Sequence, residues 1–328
     1  MARSIWHVVV VLFTAAIGAR AAAADLPGIA GAQRIVFLGD SITYGGQYIE
    51  ILDAYLAARF PESPHELLDL GLPSETVSGL SEPGHAGGKF PRPDLHERLG
   101  RVLAKTKPDL VVACYGMNCG IYYPLGEERF EKFRSGITRL HDEVEKAGAK
   151  IVHITPPSFD PQPIQQRTLP AGLSEYRQPY AGYNEVLDRY SEWLLAQRDK
   201  SWQVIDLHGP MNRLLAKQRE SDPKFILAGD GVHMNAIGHW LAAQQILLAW
   251  GAPAADITSA QAPEDLLKRI SNGESIGKLC QQRQRLLKDA WLTDVGHLRP
   301  GMKQGLPLAE AEKQAAELSK QIQTLARP

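Results

Sequence analysis

Between residues 34 and 207 the chain alternates short continuous apolar runs with longer stretches in which apolar positions recur every three or four residues. Continuous β-branched runs mark strands buried on both faces, and the three-four spacing marks amphipathic helices. The runs at 34–38, 66–70, 109–115, 150–155 and 203–207 therefore predict five strands. Between the third and fourth, Phe130, Phe133, Ile137, Leu140, Val144 and Ala147 line one face of a helix over 127–147, and Gly148 supplies its stop. A further helical run covers 236–250.

Strands alternating with helices predict an α/β protein, a parallel sheet with helices on both faces. Five strands joined by crossover helices suggest the flavodoxin-like order 2-1-3-4-5, with a ligand crevice outside the C-terminal ends of the strands. Function is expected in the loops that leave those ends, at 39–46, 71–90, 116–126 and 156–178, which are rich in Gly, Pro and polar residues. Strand signals cease near Gly251-Ala252-Pro253, so the main domain is expected over 25–253. Beyond it, Leu308, Ala311, Ala315, Leu318, Ile322 and Leu325 repeat the helical spacing, and 254–328 reads as a helical extension packed on the main body.

The first 24 residues change the picture of where the protein works. Arg3, the apolar run 8–17 and Ala22-Ala23-Ala24 before Asp25 form the pattern of a cleaved secretory signal. The apolar run is about half the ~20 residues a membrane-spanning helix needs, and no Cys follows it to accept a lipid. An exported protein, periplasmic or secreted and without a membrane anchor, is expected.

Composition excludes several classes. With 44% hydrophobic and 22% charged residues the chain is that of a globular protein, and 36 Lys and Arg against 37 Asp and Glu argue against a nucleic-acid-coating protein. Cys114, Cys119 and Cys280 are too few for a disulfide scaffold, and none sits in Cys-x-x-Cys spacing. No His-x-x-x-His pair or Asp cluster of ligand spacing occurs, so neither a metal nor another cofactor is expected.

Three segments carry candidate chemistry. Gly39-Asp40-Ser41 ends the first strand in a small-residue turn and presents Ser41 at the crevice, as a nucleophile or as an ordinary helix cap. Asp230-Gly231-Val232-His233 favours the nucleophile, because a serine hydroxyl needs an imidazole to take its proton and a carboxylate to fix that imidazole's tautomer. His239 lies inside the next helical run and reads as a helix-surface or core histidine, which leaves His233 as base and Asp230 as its orienting residue. Third, the strand through Cys114 runs on into Tyr115-Gly116-Met117-Asn118 and brings an amide to the same sheet edge, where Asn118 is suited to donate to an oxyanion.

These blocks, in this order over residues 34 to about 250, resemble the SGNH (GDSL-like) hydrolases. The resemblance implies a three-layer α/β/α esterase fold with Ser41 as nucleophile, His233 as base, Asp230 as its orienter, and the Ser41 N–H and Asn118 side chain as oxyanion donors. The second block reads Gly71-Leu72-Pro73-Ser74-Glu75-Thr76, with Ser74 where the family usually carries its oxyanion glycine. Ser74 can keep that role through its N–H if its φ stays negative, and Gly71 is the fallback donor. Cys119 follows Asn118 where an Asp is common, and a buried thiol acting as a small hydrophobe is commoner than a second nucleophile. Tyr115–Gly120, 155–160 and 291–301 further resemble exported SGNH proteins of planctomycete-type bacteria, a likeness that carries no substrate.

Asp40, Gly71, His85, Tyr122 and Tyr123 are candidate substrate contacts. Tyr122 and Tyr123 would stack on sugar rings, and the alternative for them is packing at the surface. His85 is either a border of the substrate site or a solvent-exposed loop histidine. The expected activity is an exported serine esterase cleaving O-acyl groups, O-acetyl above all, from an acylated small molecule or polysaccharide. The rivals are a lipolytic or thioesterase enzyme of the same kind and a carbohydrate-binding protein without turnover.

Overall fold

The computed structural model describes residues 26–327, and the expected signal over 1–24 lies outside the described residues. Five parallel strands, β1 (Arg34–Gly39), β2 (Glu66–Asp69), β3 (Leu110–Cys114), β4 (Lys150–Ile154) and β5 (Gln203–Ile205), form one sheet in the order β2-β1-β3-β4-β5. The order predicted from the sequence is the one found. Register is continuous from edge to edge, with Phe37 beside both Asp69 and Val112, and Ala113 beside His153.

The helices follow from this order. They are α1 (Ser41–Gly45), α2 (Gln47–Arg59), α3 (Leu95–Thr106), α4 (Glu127–Lys146), α5 (Tyr183–Ala196), α6 (His208–Arg219) and α7 (Ala236–Ala249). The extension adds α8 (Ala254–Thr258), α9 (Pro263–Leu267), α10 (Gly273–Val295) and α11 (Leu308–Ala326). From β1 to β2 the chain steps one way across the sheet, and from β2 onward it steps the other. Right-handed crossovers therefore send α2 to one face and α3, α4 and α5 to the opposite face. Accordingly α2 packs against α7, and α3 against α4. Val36, Leu38, Val111 and Ala113 are fully enclosed between these layers.

The extension is docked. α10 lies along α2 and the edge strand β2, and the Gln284 amide donates to the Leu67 carbonyl, occupying part of an edge that would otherwise be open to another chain. Ile276, Cys280 and Ile322 close a second apolar cluster with Ala54 and Ala58 of α2. Of the predicted stripe on α11, Ala311, Ala315 and Ile322 are the buried members. Among the described residues no helix is long and apolar enough to cross a membrane.

Candidate active site

Ser41 is delivered by the end of β1. Asp40 caps α1, its Oδ1 accepting the Ile42 N–H at 2.9 Å, and Ser41 becomes the first residue of the helix with its side chain partly exposed at the C-terminal edge of the sheet.

The turn before α7 answers it. Asp230 Oδ1 accepts the backbone N–H groups of Val232 and His233 at 3.0 and 2.8 Å, while its Oδ2 lies 2.6 Å from His233 Nδ1. One carboxylate thus folds the turn and aims the ring, which is why a spacing of three suffices. Gly231 makes the turn possible: its φ is +80°, and a Cβ there would stand 2.6 Å from the Asp160 carbonyl. Nε2 of His233 reaches Ser41 Oγ at 2.7 Å. In this geometry the imidazole can accept the hydroxyl proton while the carboxylate stabilises the imidazolium. Partial burial raises the Asp230 carboxyl, but the bonds from His233 and Val232 outweigh it and hold the carboxyl below its ordinary value.

A second wall of the crevice follows β2, the strand beside β1. Ser74 has φ +71°, so the proviso that φ be negative is overturned: the serine occupies the left-handed conformation natural to glycine. Among the described residues the N–H groups of Ser41 and Ser74 have no acceptor. Asn118 is tied to the residue after Ser74, its Nδ2 donating to the Glu75 carbonyl at 3.3 Å and its Oδ1 accepting the Tyr122 hydroxyl at 3.0 Å. Those two bonds decide which end of the amide is which and leave a second Nδ2 hydrogen to offer. Behind this wall the Glu75 carboxylate is fully buried, bound by Arg98 at 2.7 and 2.8 Å and by the Tyr115 hydroxyl at 2.6 Å. Burial pushes the Glu75 carboxyl up, although Arg98 and Tyr115 oppose it.

A chain of contacts encloses the same wall. Arg92 lies over the Tyr122 ring at 5.3 Å and forks onto Glu82 at 2.7 Å through two nitrogens. Glu82 also meets His85, whose ring packs edge-on against Phe90. Phe90 in turn lies under Arg299 from the C-terminal extension.

Several expected contacts are corrected. Asp40 is not a substrate contact: it is buried as the cap of α1, and burial pushes its carboxyl up to about 6. Gly71 cannot serve as the fallback oxyanion donor, because its N–H is spent on Asp69 Oδ1 at 3.0 Å; any Cβ there would collide with Thr43 and Tyr44 of α1, so its part is close packing. Tyr122 has φ +60° and a ring flanked by Arg92 and Tyr183, which leaves it orienting Asn118 instead of stacking on a sugar. Tyr123 turns away to Tyr176 and Arg129. His85 is neither solvent-exposed nor free, with its side chain 11% exposed against Glu82 and Phe90. His239 is a core histidine stacked on Tyr48, and burial pushes it down to about 4. Cys119 is fully buried and its thiol is pushed up to about 12.

Sequence reasoning passed over Glu75, Arg92, Arg98 and Arg299. Only Arg98 left a readable signal: it shares the buried face of α3 with Leu95, Leu99 and Val102, and an arginine in an apolar stripe demands a buried carboxylate. Among the described residues no group of three or more His, Cys, Asp or Glu side chains gathers into a metal-binding set. A cavity of about 1010 Å³ opens beside Arg34, Glu66 and Asp109, at the opposite end of the strands from Ser41.

Comparison with solved structures places this geometry on a known fold. A catalytic mutant of an acetylxylan esterase from Geobacillus stearothermophilus is 18% identical, with a TM-score of 0.50 over 68% of this chain and 95% of that one. A gut microbial diltiazem-metabolizing enzyme is 21% identical, with a TM-score of 0.51 over 67% of this chain and 47% of the other, so this chain spans about half the length of that protein. Likeness at these identities extends to the fold. No curated protein matches the sequence. The model of the GDSL-like lipase/acylhydrolase family, however, matches residues 37–241, a stretch that begins in β1 just ahead of Ser41 and ends in α7 beyond His233. More than half of the chain is therefore accounted for by one family of serine ester hydrolases, and the protein belongs to it.

Proposed function

We propose that the protein is an exported esterase that removes short acyl groups, acetyl above all, from carbohydrates, with Ser41, His233 and Asp230 as its triad. Ser41 Oγ attacks the ester carbonyl as His233 Nε2 takes its proton. The N–H groups of Ser41 and Ser74 and the Asn118 amide hold the tetrahedral oxyanion. Collapse expels the sugar hydroxyl, protonated by His233, and leaves an acyl-Ser41 ester. Water, deprotonated by His233, then releases the acid and restores Ser41.

The observation that carries the choice of substrate is the openness of the pair that faces Ser41: the His233 and Asp230 side chains are 52% and 51% exposed. An alcohol partner as wide as a sugar chain can approach such a surface, whereas a long acyl chain gains only where it is buried, by up to ~0.8 kcal/mol for each methylene. The acetylxylan esterase with the same fold is in keeping with this reading. The test is kcat/KM across p-nitrophenyl esters from acetyl to decanoyl, together with acetate release from acetylated polysaccharides. A maximum at acetyl with acetate released supports the reading, and a steady rise beyond butyryl assigns the enzyme to lipids instead.

A further inference from the structure

Arg299 of the C-terminal extension donates through Nε to the Pro73 carbonyl at 2.9 Å. That carbonyl and the Ser74 N–H belong to one rigid peptide plane, so whatever fixes the first aims the second. The plane needs fixing. Ser74 sits at φ +71°, a conformation that costs a non-glycine residue roughly 1–2 kcal/mol, and rotation of the peptide would relieve it while turning the N–H away from the site. We infer that Arg299 is a positioning residue for the oxyanion hole, and that the C-terminal extension is thereby part of the active site.

Three observations support this. The segment around Arg299 is anchored: Arg101 of α3 donates to the carbonyls of Val295 and Gly296, and the Arg299 guanidinium lies 5.4 Å over the Phe90 ring. Its other hydrogen-bond partners are the Pro300 carbonyl and the Met302 sulfur, so no carboxylate competes for it among the described residues. A guanidinium on the carbonyl also polarises the peptide and strengthens its N–H as a donor, as linked hydrogen bonds do. Through Phe90, His85, Glu82, Arg92 and Tyr122 the same residue joins the contacts that end on Asn118, so the two oxyanion donors other than Ser41, the Ser74 N–H and the Asn118 amide, share one frame.

The inference rests on the roles proposed for Ser41 and Ser74, and the experiment separates the two. In the full chain, Arg299→Gln, Arg299→Lys and, as a control that cuts the extension's contact with Glu50 of α2 and leaves the Arg299 segment alone, Arg285→Gln are assayed with p-nitrophenyl acetate. Inhibition by phenylboronic acid, whose boron accepts Ser41 Oγ and becomes tetrahedral, reports on the hole directly. Arg299→Gln is expected to lower kcat about tenfold with KM within about twofold, since displacing a donor costs less than the 100-fold or more of deleting one. Boronate affinity should fall by the same factor, Arg299→Lys should be intermediate, and Arg285→Gln should keep its kcat. Should Arg299→Gln fail to fold, Arg299→Lys is judged by the same criterion. Wild-type kcat and boronate affinity in the Arg299 variants, or an equal loss in Arg285→Gln, overturns the inference. A Ser41→Ala chain as active as wild type removes the proposed function as well, a result distinct from either.

Discussion

The Tyr122 hydroxyl donates to Asn118 Oδ1 at 3.0 Å, across a turn in which both Ile121 and Tyr122 have positive φ. Neither residue type favours that backbone, and each such residue costs of order 1 kcal/mol. The bond gives the turn a purpose, because it obliges the Asn118 amide to present its nitrogen to the oxyanion side. Tyr122→Phe should lower kcat by about tenfold with KM little changed, the Glu75 carbonyl still holding the other end of the amide. Steady-state kinetics on p-nitrophenyl acetate checks this, and an unaltered kcat would count against the orienting part.

Ser74 is expected to act through its backbone alone. Ser74→Ala and Ser74→Gly should keep kcat within about twofold, with Gly also relieving roughly 1–2 kcal/mol of left-handed strain. Ser74→Pro, which removes the N–H and cannot adopt φ +71°, should lose activity by about 100-fold or more. A large loss in Ser74→Ala would show that the hydroxyl takes part.

Two buried carboxyls set a pH dependence of stability. Burial pushes Asp40 to about 6 and Asp69 to about 7, both from an ordinary value of 3.8, with Lys288 and the Gly71 N–H only partly offsetting the effect at Asp69. Between these limits the folded protein holds protons that the unfolded chain has released. Their contribution is therefore fully present below about pH 4 and is lost as pH rises through 6 to 7. Asp69→Asn, which removes the larger of the two shifts, should flatten the change in Tm between pH 4.5 and 7.5 relative to wild type. Parallel Tm profiles for the two chains would refute the assignment.

The sheet and the triad segments were legible because their signals are local. A buried parallel strand is a continuous apolar run, and Asp230 and His233 meet within one turn. The oxyanion wall was only half legible. Asn118 could be placed by the strand before it, but the φ of Ser74, the spent N–H of Gly71 and the turned-away ring of Tyr123 depend on neighbours distant in sequence. Arg299 was not legible at all: it lies 226 positions from Pro73, and nothing in a helical tail announces which carbonyl an arginine will find.

On the proposed function, Ser41 is the nucleophile activated by His233. The most direct measurement is covalent labelling of the wild-type chain with a fluorophosphonate, mapped by peptide mass, beside esterase assays of Ser41→Ala and His233→Ala. A single adduct at Ser41, and losses of several orders of magnitude in kcat in both variants, is the predicted result. Label on another residue, or wild-type turnover in Ser41→Ala, would contradict it.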